Sequence, residues 1–342
     1  MTIKRLGFAC KWTELGPKGP VSVPELNNST TTVAWLKRQT TQVAEQKLWD
    51  LMTHNIDAVH NLVKKVGGLD EHFRMVRIGS DVLPVYTEPS FGYFYNQPGV
   101  RNYAERKLAE VGRVARLLDV RLSFHPGQFT VLASDRPDVV ERSLEEFEYH
   151  VDMIRWMGYG VKFQDFKCNV HIAGKQGHEG IRKVLGRLSP EARNTITIEN
   201  EENKHGLDDC LAIGDVVPIV LDIHHHFIKT GEYIQPEDDR IQLVLDSWRG
   251  VRPTLHYSIS RESDLVRHPV DVLPDMAKLL EQGYKKQKLR AHSNFMWNTA
   301  VNEWALGFRD NFDIMVECKS KNLGAHQLFE FWKQFENKEI GP

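Results

Sequence analysis

Six short apolar segments of this sequence end in a histidine or a carboxylate, the side chains that most often bind metal ions. They lie at 122–125, 168–171, 196–199, 219–225, 254–256 and 314–317. Strands that are buried on both faces of a parallel sheet normally read as continuous hydrophobic runs. Because an ionisable residue ends one such run after another, we interpret these ends as one metal-binding cluster.

The donors at these ends combine imidazole and carboxylate groups. They are His125, His171, Glu199, Asp222, His225, His256 and Glu317. Mixed nitrogen and oxygen donors suit manganese, zinc or iron, whereas sites made of oxygen alone suit magnesium or calcium. This set exceeds the roughly four to six positions around one ion. We therefore expect two or three ions, with Glu199 and Glu317 as bridging carboxylates.

A cluster of this kind supports two classes of chemistry. In phosphodiester hydrolysis, one ion activates the attacking water and another stabilises the leaving oxygen. In sugar isomerisation or epimerisation, the ions instead polarise neighbouring oxygens of the substrate. The ligands alone do not separate these functions, although an isomerase would also need a base beside the metals and a small closed pocket.

The ligand-bearing segments belong to a regular alternation of strand-like and helix-like patterns. We predict strands at 3–9, 74–79, 121–125, 168–172, 195–199, 218–223, 253–258 and 312–317. We predict helices at 32–65, 101–118, 137–157, 178–188, 207–214, 237–248, 270–282 and 322–335. Eight strands that are each followed by a helix predict an α/β fold, the TIM (β/α)8 barrel, whose active sites lie at the carboxyl ends of the strands.

Residues 1–342 are expected to form a single TIM-barrel domain, because the sequence has no long linker and no second core pattern. Two connections, at 81–102 and 284–311, are longer than a barrel requires. Long loops in compact domains often carry function. The first is rich in aromatic residues, which could either cover the barrel or stack on unpaired bases.

The composition excludes several classes of protein. Hydrophobic residues make up 41% and charged residues 26% of the chain, which is typical of a globular protein, and no apolar run approaches the ~18 residues of a membrane span. The 4 cysteines form no C-x-x-C pair, which argues against a zinc ribbon or a disulfide framework. A net charge of −2 is mildly unfavourable to a nucleic-acid partner. Local basic clusters at 101–107 and 285–290 could still contact phosphates.

Six blocks of the sequence resemble the UV damage endonucleases. They read R-L-G-F at 5–8, S-F-H-P-G-Q-F at 123–129, I-E-N-E at 198–201, L-D-I-H-H-H at 221–226, H-Y-S at 256–258 and E-C-K-S-K at 317–321. The blocks keep the family order over nearly the whole chain, and the H-P-G-Q and D-x-H-H-H blocks are the most specific. Only the stretch 259–289 has no clear counterpart.

The resemblance implies a TIM barrel similar to endonuclease IV that nicks DNA 5′ to ultraviolet photoproducts and some other lesions. It implies two or three divalent ions, with Mn²⁺ expected and Zn²⁺ or Mg²⁺ as alternatives. The ligands carried over by motif are His125, His171, Glu199, Asp222, His225, His256, His292 and Glu317. The members expected to act most directly in catalysis are His125, Glu199, Asp222 and Glu317. His268 is the alternative to His292.

The same resemblance assigns Gln128 and Phe129 as a probe that enters the duplex beside an extruded lesion. Flipping out a nucleotide costs a few kcal/mol, least for a damaged base, and a planar apolar wedge replaces part of the lost stacking. The remaining candidates for contact with DNA or the lesion are Phe8, Tyr93, Tyr95, Lys286 and Arg290.

The chain departs from the family pattern beside these motifs. Phenylalanine occupies positions 8 and 129, where the family commonly has tyrosine. Thr254 stands where the family can carry a carboxylated lysine, and Asn294 stands where aspartate is usual.

The expected partner is damaged double-stranded DNA, bound by a monomer without a membrane contact. The expected location is a bacterial-type cytoplasm, in association with the nucleoid. Three alternatives to this function stay open: a sugar isomerase or epimerase, an endonuclease for apurinic sites, and a protein that binds lesions without cutting.

Overall fold

Eight parallel strands surround the core, and most neighbours in the sheet are also neighbours in the sequence. The computed structural model describes residues 3–339, with side chains up to residue 334. The strands are β1 (Leu6–Cys10), β2 (Thr13–Gly16), β3 (Gly19–Ser22), β4 (Met75–Ile78), β5 (Arg121–Phe124), β6 (Lys167–His171), β7 (Ile196–Glu199), β8 (Ile219–Val220), β9 (Thr254–Tyr257) and β10 (Asp313–Val316). The sheet order is β8-β7-β6-β5-β4-β1-β10-β9, and β2 and β3 form a separate antiparallel hairpin. This arrangement confirms the predicted TIM barrel.

Helices cover the outside of the sheet. They are α1 (Val33–Leu36), α2 (Thr41–Gly67), α3 (Pro98–Leu117), α4 (Pro137–Trp156), α5 (Gly177–Leu185), α6 (Pro190–Thr195), α7 (Leu207–Leu211), α8 (Ile223–Thr230), α9 (Asp239–Ser247), α10 (Met276–Glu281), α11 (Lys286–Leu289), α12 (Thr299–Leu306) and α13 (Asn322–Glu339). Proline starts α3, α4 and α6, where its missing N–H costs nothing. Among the described helices, none has the length and apolar character needed to cross a membrane.

The longest helix, α2, shows why this pattern folds onto a sheet. Thr40 caps its start by accepting a hydrogen bond from the Val43 N–H. Leu48, Met52, Ile56 and Val59 recur at helical spacing and are all buried, so they form one apolar stripe that packs against the barrel.

The barrel closes between β8 and β9 through a single bridge. Strand β8 ends at Val220, and beyond it Asp222 pairs with His256 in parallel. The His256 N–H donates to the Leu221 carbonyl at 2.9 Å. The closing seam of the barrel therefore lies at two of the predicted metal ligands.

The eight predicted barrel strands are confirmed in place, but several local features differ from prediction, three of which lie near the site or change the sheet. The hairpin of β2 and β3 was missed, because its strands show no hydrophobic alternation. The predicted strand at 218–223 ends early, since the Asp222 side chain already caps α8. The predicted long loops contain ordered elements: short 3₁₀ turns at Ser80–Val82 and Gly92–Asn96 in the first, and α11 and α12 in the second.

One buried carboxylate links several segments at the amino end of the barrel. Asp313, at the start of β10, accepts hydrogen bonds from Arg121 at 2.6 Å, from Arg252 at 2.7 Å and from the Arg5 N–H at 2.9 Å. Arginine pairs a carboxylate through several donors at once. This network fixes the end of the barrel that lies opposite the predicted site.

We predict that Asp313→Ala destabilises the protein by about 3–5 kcal/mol, because two largely buried arginines would lose their counter-charge. Urea unfolding measures this loss. The matched control is Asp310→Ala, which removes an exposed ion pair with Lys4 and should cost less than about 1 kcal/mol. Equal losses in the two variants would contradict a structural role for the buried network.

Candidate metal centre

The carboxyl ends of six barrel strands bring the predicted ligands together at one mouth of the barrel. Three overlapping groups have donor atoms within 4.8 Å of one another. They are His125, His171 and Glu199; Glu199, Asp222 and His225; and Asp222, His256 and Glu317. All the ligands predicted from strand ends therefore belong to at least one group.

Glu199 lies at the centre of these groups and is fully buried at the end of β7. Its Oε2 is 3.2 Å from His125 Nε2, and its Oε1 is 3.1 Å from His256 Nδ1. Burial alone would raise the pKa of Glu199, but His256, His171 and the hydrogen bond with His125 lower this pKa well below its usual value. The carboxylate is therefore ionised and shared between two donor groups.

Asp222 combines a structural contact with a free donor atom. Its Oδ1 accepts the His225 N–H at 2.8 Å and so caps α8. Its Oδ2 is buried and makes no hydrogen bond to the described residues. Burial raises the pKa of Asp222 well above its usual value; the neighbouring Glu199 and Glu317 carboxylates raise it further, and His225 opposes the shift.

His225, in the first turn of α8, is oriented by its backbone neighbours. Its Nδ1 contacts the Asn200 carbonyl at 3.0 Å and lies 3.6 Å from Asp222 Oδ2 and 3.7 Å from Glu199 Oε1. Its Nε2 faces Glu202 Oε2 at 3.8 Å. Burial lowers the pKa of His225, but the carboxylates of Asp222, Glu199 and Glu202 raise it overall to about 9.

Unpaired polar atoms show that these residues fit a metal centre. Within the described residues, Glu199 Oε1, Asp222 Oδ2 and His256 Nδ1 are buried without a hydrogen-bond partner. Such atoms are rare in folded proteins because their desolvation is not compensated. Carboxylate oxygen and imidazole nitrogen together are the donors that a divalent transition metal prefers. The groups could therefore hold metal ions.

Glu199 and Asp222 are the carboxylates that belong to two donor groups, whereas Glu317 belongs to one. The two oxygens of Glu317 face different histidines: Oε1 is 3.3 Å from His256 Nδ1 and Oε2 is 3.9 Å from His292 Nδ1. The Arg77 guanidinium also contacts Glu317 Oε1 directly. The bridging role expected for Glu317 stays a prediction.

Two cations inside the barrel were missed at the sequence level. Arg77 interrupts the otherwise buried strand β4, and this interruption was a signal available in the sequence. Lys167 begins β6, one residue before the predicted strand 168–172. Lys167 Nζ lies 2.8 Å from His256 Nε2. Burial lowers the pKa of Lys167 to about 7, although the Glu199 charge opposes the shift.

His292 lies beside the groups without joining any of them. Its Nδ1 is 3.9 Å from Glu317 Oε2, and burial lowers its pKa. The alternative residue, His268, bonds the Val272 carbonyl at 2.8 Å in an exposed loop. The structure therefore favours His292 for this position. Asn294 is exposed and belongs to none of the groups identified among the described residues.

A cavity of about 340 Å³ opens above the ligands. Its lining includes Gln128, His171, Glu202, Arg290 and His292. The Arg290 guanidinium donates to Glu202 Oε1 at 2.7 Å, and Glu202 is a further lining residue that sequence reasoning missed. The cavity thus presents a cation beside the candidate metal centre.

Phe129 projects from the loop that follows His125. Its side chain is 85% exposed, and Gln128 beside it is also exposed. A second groove, of about 560 Å³, runs along Phe129, Thr130 and Arg142. An exposed large apolar side chain next to polar grooves is typical of an interaction site.

Two expected DNA contacts are wrong, because the side chains are buried. Phe8 is 0% exposed and packs on Trp12 and Phe73, with ring centroids 5.7 and 6.1 Å away. Tyr95 is 2% exposed and donates its hydroxyl to the Pro84 carbonyl at 2.8 Å. Both rings therefore belong to the core.

Two other expected contacts lie at the surface but are already engaged. Tyr93 is partly exposed, and its phenol is hydrogen-bonded to Glu45. Partial burial and this hydrogen bond both raise the pKa of Tyr93. Lys286 donates to the Lys229 carbonyl at 2.8 Å, at the end of α8.

Thr254 is buried within β9, and its hydroxyl has no hydrogen-bond partner in the described part of the chain.

The barrel and its mouth define a TIM-barrel protein with a candidate centre for more than one metal ion. The family model described as "UV-endonuclease UvdE" matches residues 4–340. The chain therefore belongs to the UV-endonuclease family, as the sequence blocks predicted.

Curated relatives and solved structures agree with this membership. The UV DNA damage endonuclease of Bacillus cereus strain B4264 is 24% identical over 313 residues, which cover 88% of each chain. The UV-damage endonuclease of Schizosaccharomyces pombe is 26% identical over 347 residues, covering 97% of this chain and 51% of that protein. The crystal structure of SacUVDE superposes with a TM-score of 0.72 at 21% identity, covering 97% of this chain and 99% of the other. Endonuclease IV from Thermus thermophilus superposes with a TM-score of 0.50 at 12% identity, covering 82% of this chain and 94% of the other.

We predict that Asp222→Asn separates metal binding from helix capping. Asparagine can still accept the His225 N–H at the start of α8, but the variant lacks the negative charge of a ligand. Bound Mn²⁺ or Zn²⁺, measured by elemental analysis after dialysis, should fall below that of the parent protein. The free energy of unfolding in EDTA should not fall, since the substitution also removes repulsion between buried carboxylates.

The matched control for this variant is Asp238→Asn. Asp238 caps α9 in the same way, by accepting the Arg240 N–H, and none of its contacts with the described residues reaches the three donor groups. The control should keep the metal content of the parent. An Asp222→Asn variant that also keeps it would contradict the ligand assignment.

Proposed function

We propose that this protein is a metal-dependent DNA repair endonuclease that cuts the phosphodiester 5′ to ultraviolet photoproducts and to some other lesions. One observation carries the proposal: three donor groups that share Glu199 and Asp222 lie at an open mouth, and Phe129 projects from the same loop as His125. A cutting centre and a duplex probe are thus a few residues apart. The names of the family and of its curated relatives support this activity.

The residues of the chain have distinct parts in the proposed reaction. Two or three divalent ions, with Mn²⁺ expected, would supply Lewis acidity to the phosphate and acidify the attacking water when bound. The eight ligands predicted by motif would hold them, and of these His125, Glu199, Asp222 and Glu317 would act most directly in catalysis. Arg290 lines the same cavity and can offer charge-assisted hydrogen bonds to a phosphate oxygen, in competition with Glu202. No covalent protein intermediate is required.

Gln128 and Phe129 would select the damaged site. Stacking of a base on an aromatic ring is worth about 1–3 kcal/mol, which is comparable with the cost of extruding a base that already pairs poorly. The Phe129 ring could therefore replace the stacking lost when a lesion leaves the duplex. Phe129 lacks the hydroxyl of a tyrosine, so this contact is purely apolar.

The setting of the enzyme is part of the proposal. We propose a single TIM-barrel domain over residues 1–342 that acts as a monomer on damaged double-stranded DNA, in a bacterial-type cytoplasm near the nucleoid. Cutting at apurinic sites is the second candidate, supported by the fold shared with endonuclease IV. A sugar isomerase is disfavoured, because the cavity is open beside an exposed phenylalanine rather than closed over a small ligand.

We predict that Mn²⁺-loaded protein nicks ultraviolet-irradiated supercoiled plasmid and leaves unirradiated plasmid intact. EDTA should abolish nicking, and so should Glu199→Gln, which removes the charge shared by two donor groups. Plasmid carrying apurinic sites tests the second candidate in the same gel assay. Metal-replete protein without lesion-dependent nicking would contradict the proposed function.

We predict that Phe129→Ala lowers kcat/KM on irradiated duplex about 10- to 100-fold, which corresponds to the loss of about 1–3 kcal/mol of stacking. Phe129→Tyr should retain activity, because its ring still stacks. A lesion placed opposite mismatched bases should partly rescue Phe129→Ala, since less pairing must then be broken.

The matched control for the probe is Leu117→Ala. Leu117 is another exposed apolar residue, 72% accessible, but it ends α3 just before β5 and so lies at the amino end of the barrel. It should leave kcat/KM unchanged. Equal effects of the two alanine variants would show that Phe129 acts only as surface packing.

A further inference from the structure

We propose that Asn169 is a positioning residue that sets the orientation of the Glu199 carboxylate, and that Thr197 in turn fixes the Asn169 amide. The inference rests on the proposed metal centre and concerns how the chain prepares one of its ligands. Asn169 lies on β6 and Thr197 on β7, where the two residues are direct partners in the parallel register. Both are fully buried.

These side chains form a short hydrogen-bonded series that ends at the candidate centre. The Thr197 hydroxyl donates to Asn169 Oδ1 at 2.7 Å. The Asn169 amide nitrogen then donates to Glu199 Oε2. The series therefore runs from a strand hydroxyl, through an amide, to a carboxylate shared by two donor groups.

The direction of this series follows from the chemistry of its members. An asparagine side chain has one accepting oxygen and one donating nitrogen, and here the oxygen faces the Thr197 hydroxyl while the nitrogen faces Glu199 Oε2. A flipped amide would place its carbonyl oxygen against the carboxylate and would repel it. The Thr197 hydroxyl adds to this preference, because its proton needs the Asn169 oxygen as acceptor.

The last side-chain torsion of a glutamate has only a broad preference, so this torsion alone does not fix the orientation of the carboxylate plane. Contacts with neighbouring residues must therefore fix it. With Asn169 bound to Oε2, that oxygen also faces His125 at 3.2 Å, while Oε1 faces His256 at 3.1 Å. Each oxygen is thus turned toward a different side of the centre, which is what a bridging ligand requires.

Residues just outside the ligands commonly orient them, and their loss typically weakens metal binding 10- to 100-fold. Sequence reasoning had no access to Asn169, because a polar residue within a strand carries no ligand signal. The role of Asn169 follows from the parallel register of β6 and β7, which pairs it with Thr197.

Two variants test the series at different points. Asn169→Leu keeps the branched shape of the side chain and removes the bond to Glu199. Thr197→Val also keeps the side-chain shape and removes the hydrogen bond that anchors the Asn169 amide, so the amide can move away from Glu199. Both should weaken binding of at least one Mn²⁺ ion about 10- to 100-fold by calorimetry. Both should also convert the paramagnetic resonance signal of spin-coupled Mn²⁺ into the six-line spectrum of isolated ions.

Two further variants control for general damage. Thr195→Val removes another fully buried threonine hydroxyl, two residues away, which donates to carbonyls of α6 rather than to a side chain of the series. It should keep the affinity and the spectrum of the parent. Thr197→Ser retains the hydroxyl and should restore both, which a purely structural role of the Thr197 methyl group would not allow.

Unchanged affinity and an unchanged coupled spectrum in Thr197→Val and in folded Asn169→Leu would overturn the inference. If Asn169→Leu does not fold, Thr197→Val decides alone. A parent protein that binds Mn²⁺ but does not nick irradiated DNA contradicts the proposed function and leaves this comparison valid. A parent that binds no divalent ion contradicts both proposals.

Discussion

Three carboxylates lie together at the carboxyl end of this barrel, and their mutual repulsion is the constraint on which the site depends. Glu199 and Asp222 are fully buried and Glu317 is partly buried, in surroundings where an unpaired charge is expensive. The chain compensates with imidazoles and with the Arg77 guanidinium at Glu317. It leaves Glu199 Oε1 and Asp222 Oδ2 without hydrogen bonds to the described residues. Buried carboxylate oxygens without a hydrogen-bond partner are groups that a bound cation would satisfy.

The sequence allowed the fold and the clustering of the donor side chains to be predicted because both depend on local patterns. A donor such as His125 stands directly after an apolar run, and the carboxyl ends of parallel strands meet at one mouth. The misses concern contacts between distant segments. Arg77 and Asn169 lie within strands and contact side chains of other strands. Phe8 was predicted to contact DNA because its motif alone does not indicate which face of the strand it occupies. The two-residue strand β8 is too short to carry a pattern.

The aromatic residues near the carboxyl end of the barrel are divided between packing and exposure. The predicted aromatic loop is mostly core: Tyr86 stacks on Tyr149 at 4.7 Å, and Tyr95 is buried against the same cluster. Phe129, by contrast, has 85% of its side chain accessible. The aromatic loop therefore stabilises the fold, whereas the Phe129 ring is available for contact with a partner.

The seam of the barrel gives the centre a thermodynamic consequence. Strands β8 and β9 are the two ends of the sheet order, and the bridge between Asp222 and His256 joins them. These two residues also belong to one donor group. A ligand that binds only the closed arrangement stabilises it by mass action. An ion held by Asp222 and His256 would therefore link its own occupancy to the closure of the sheet, because both depend on the same pair of residues.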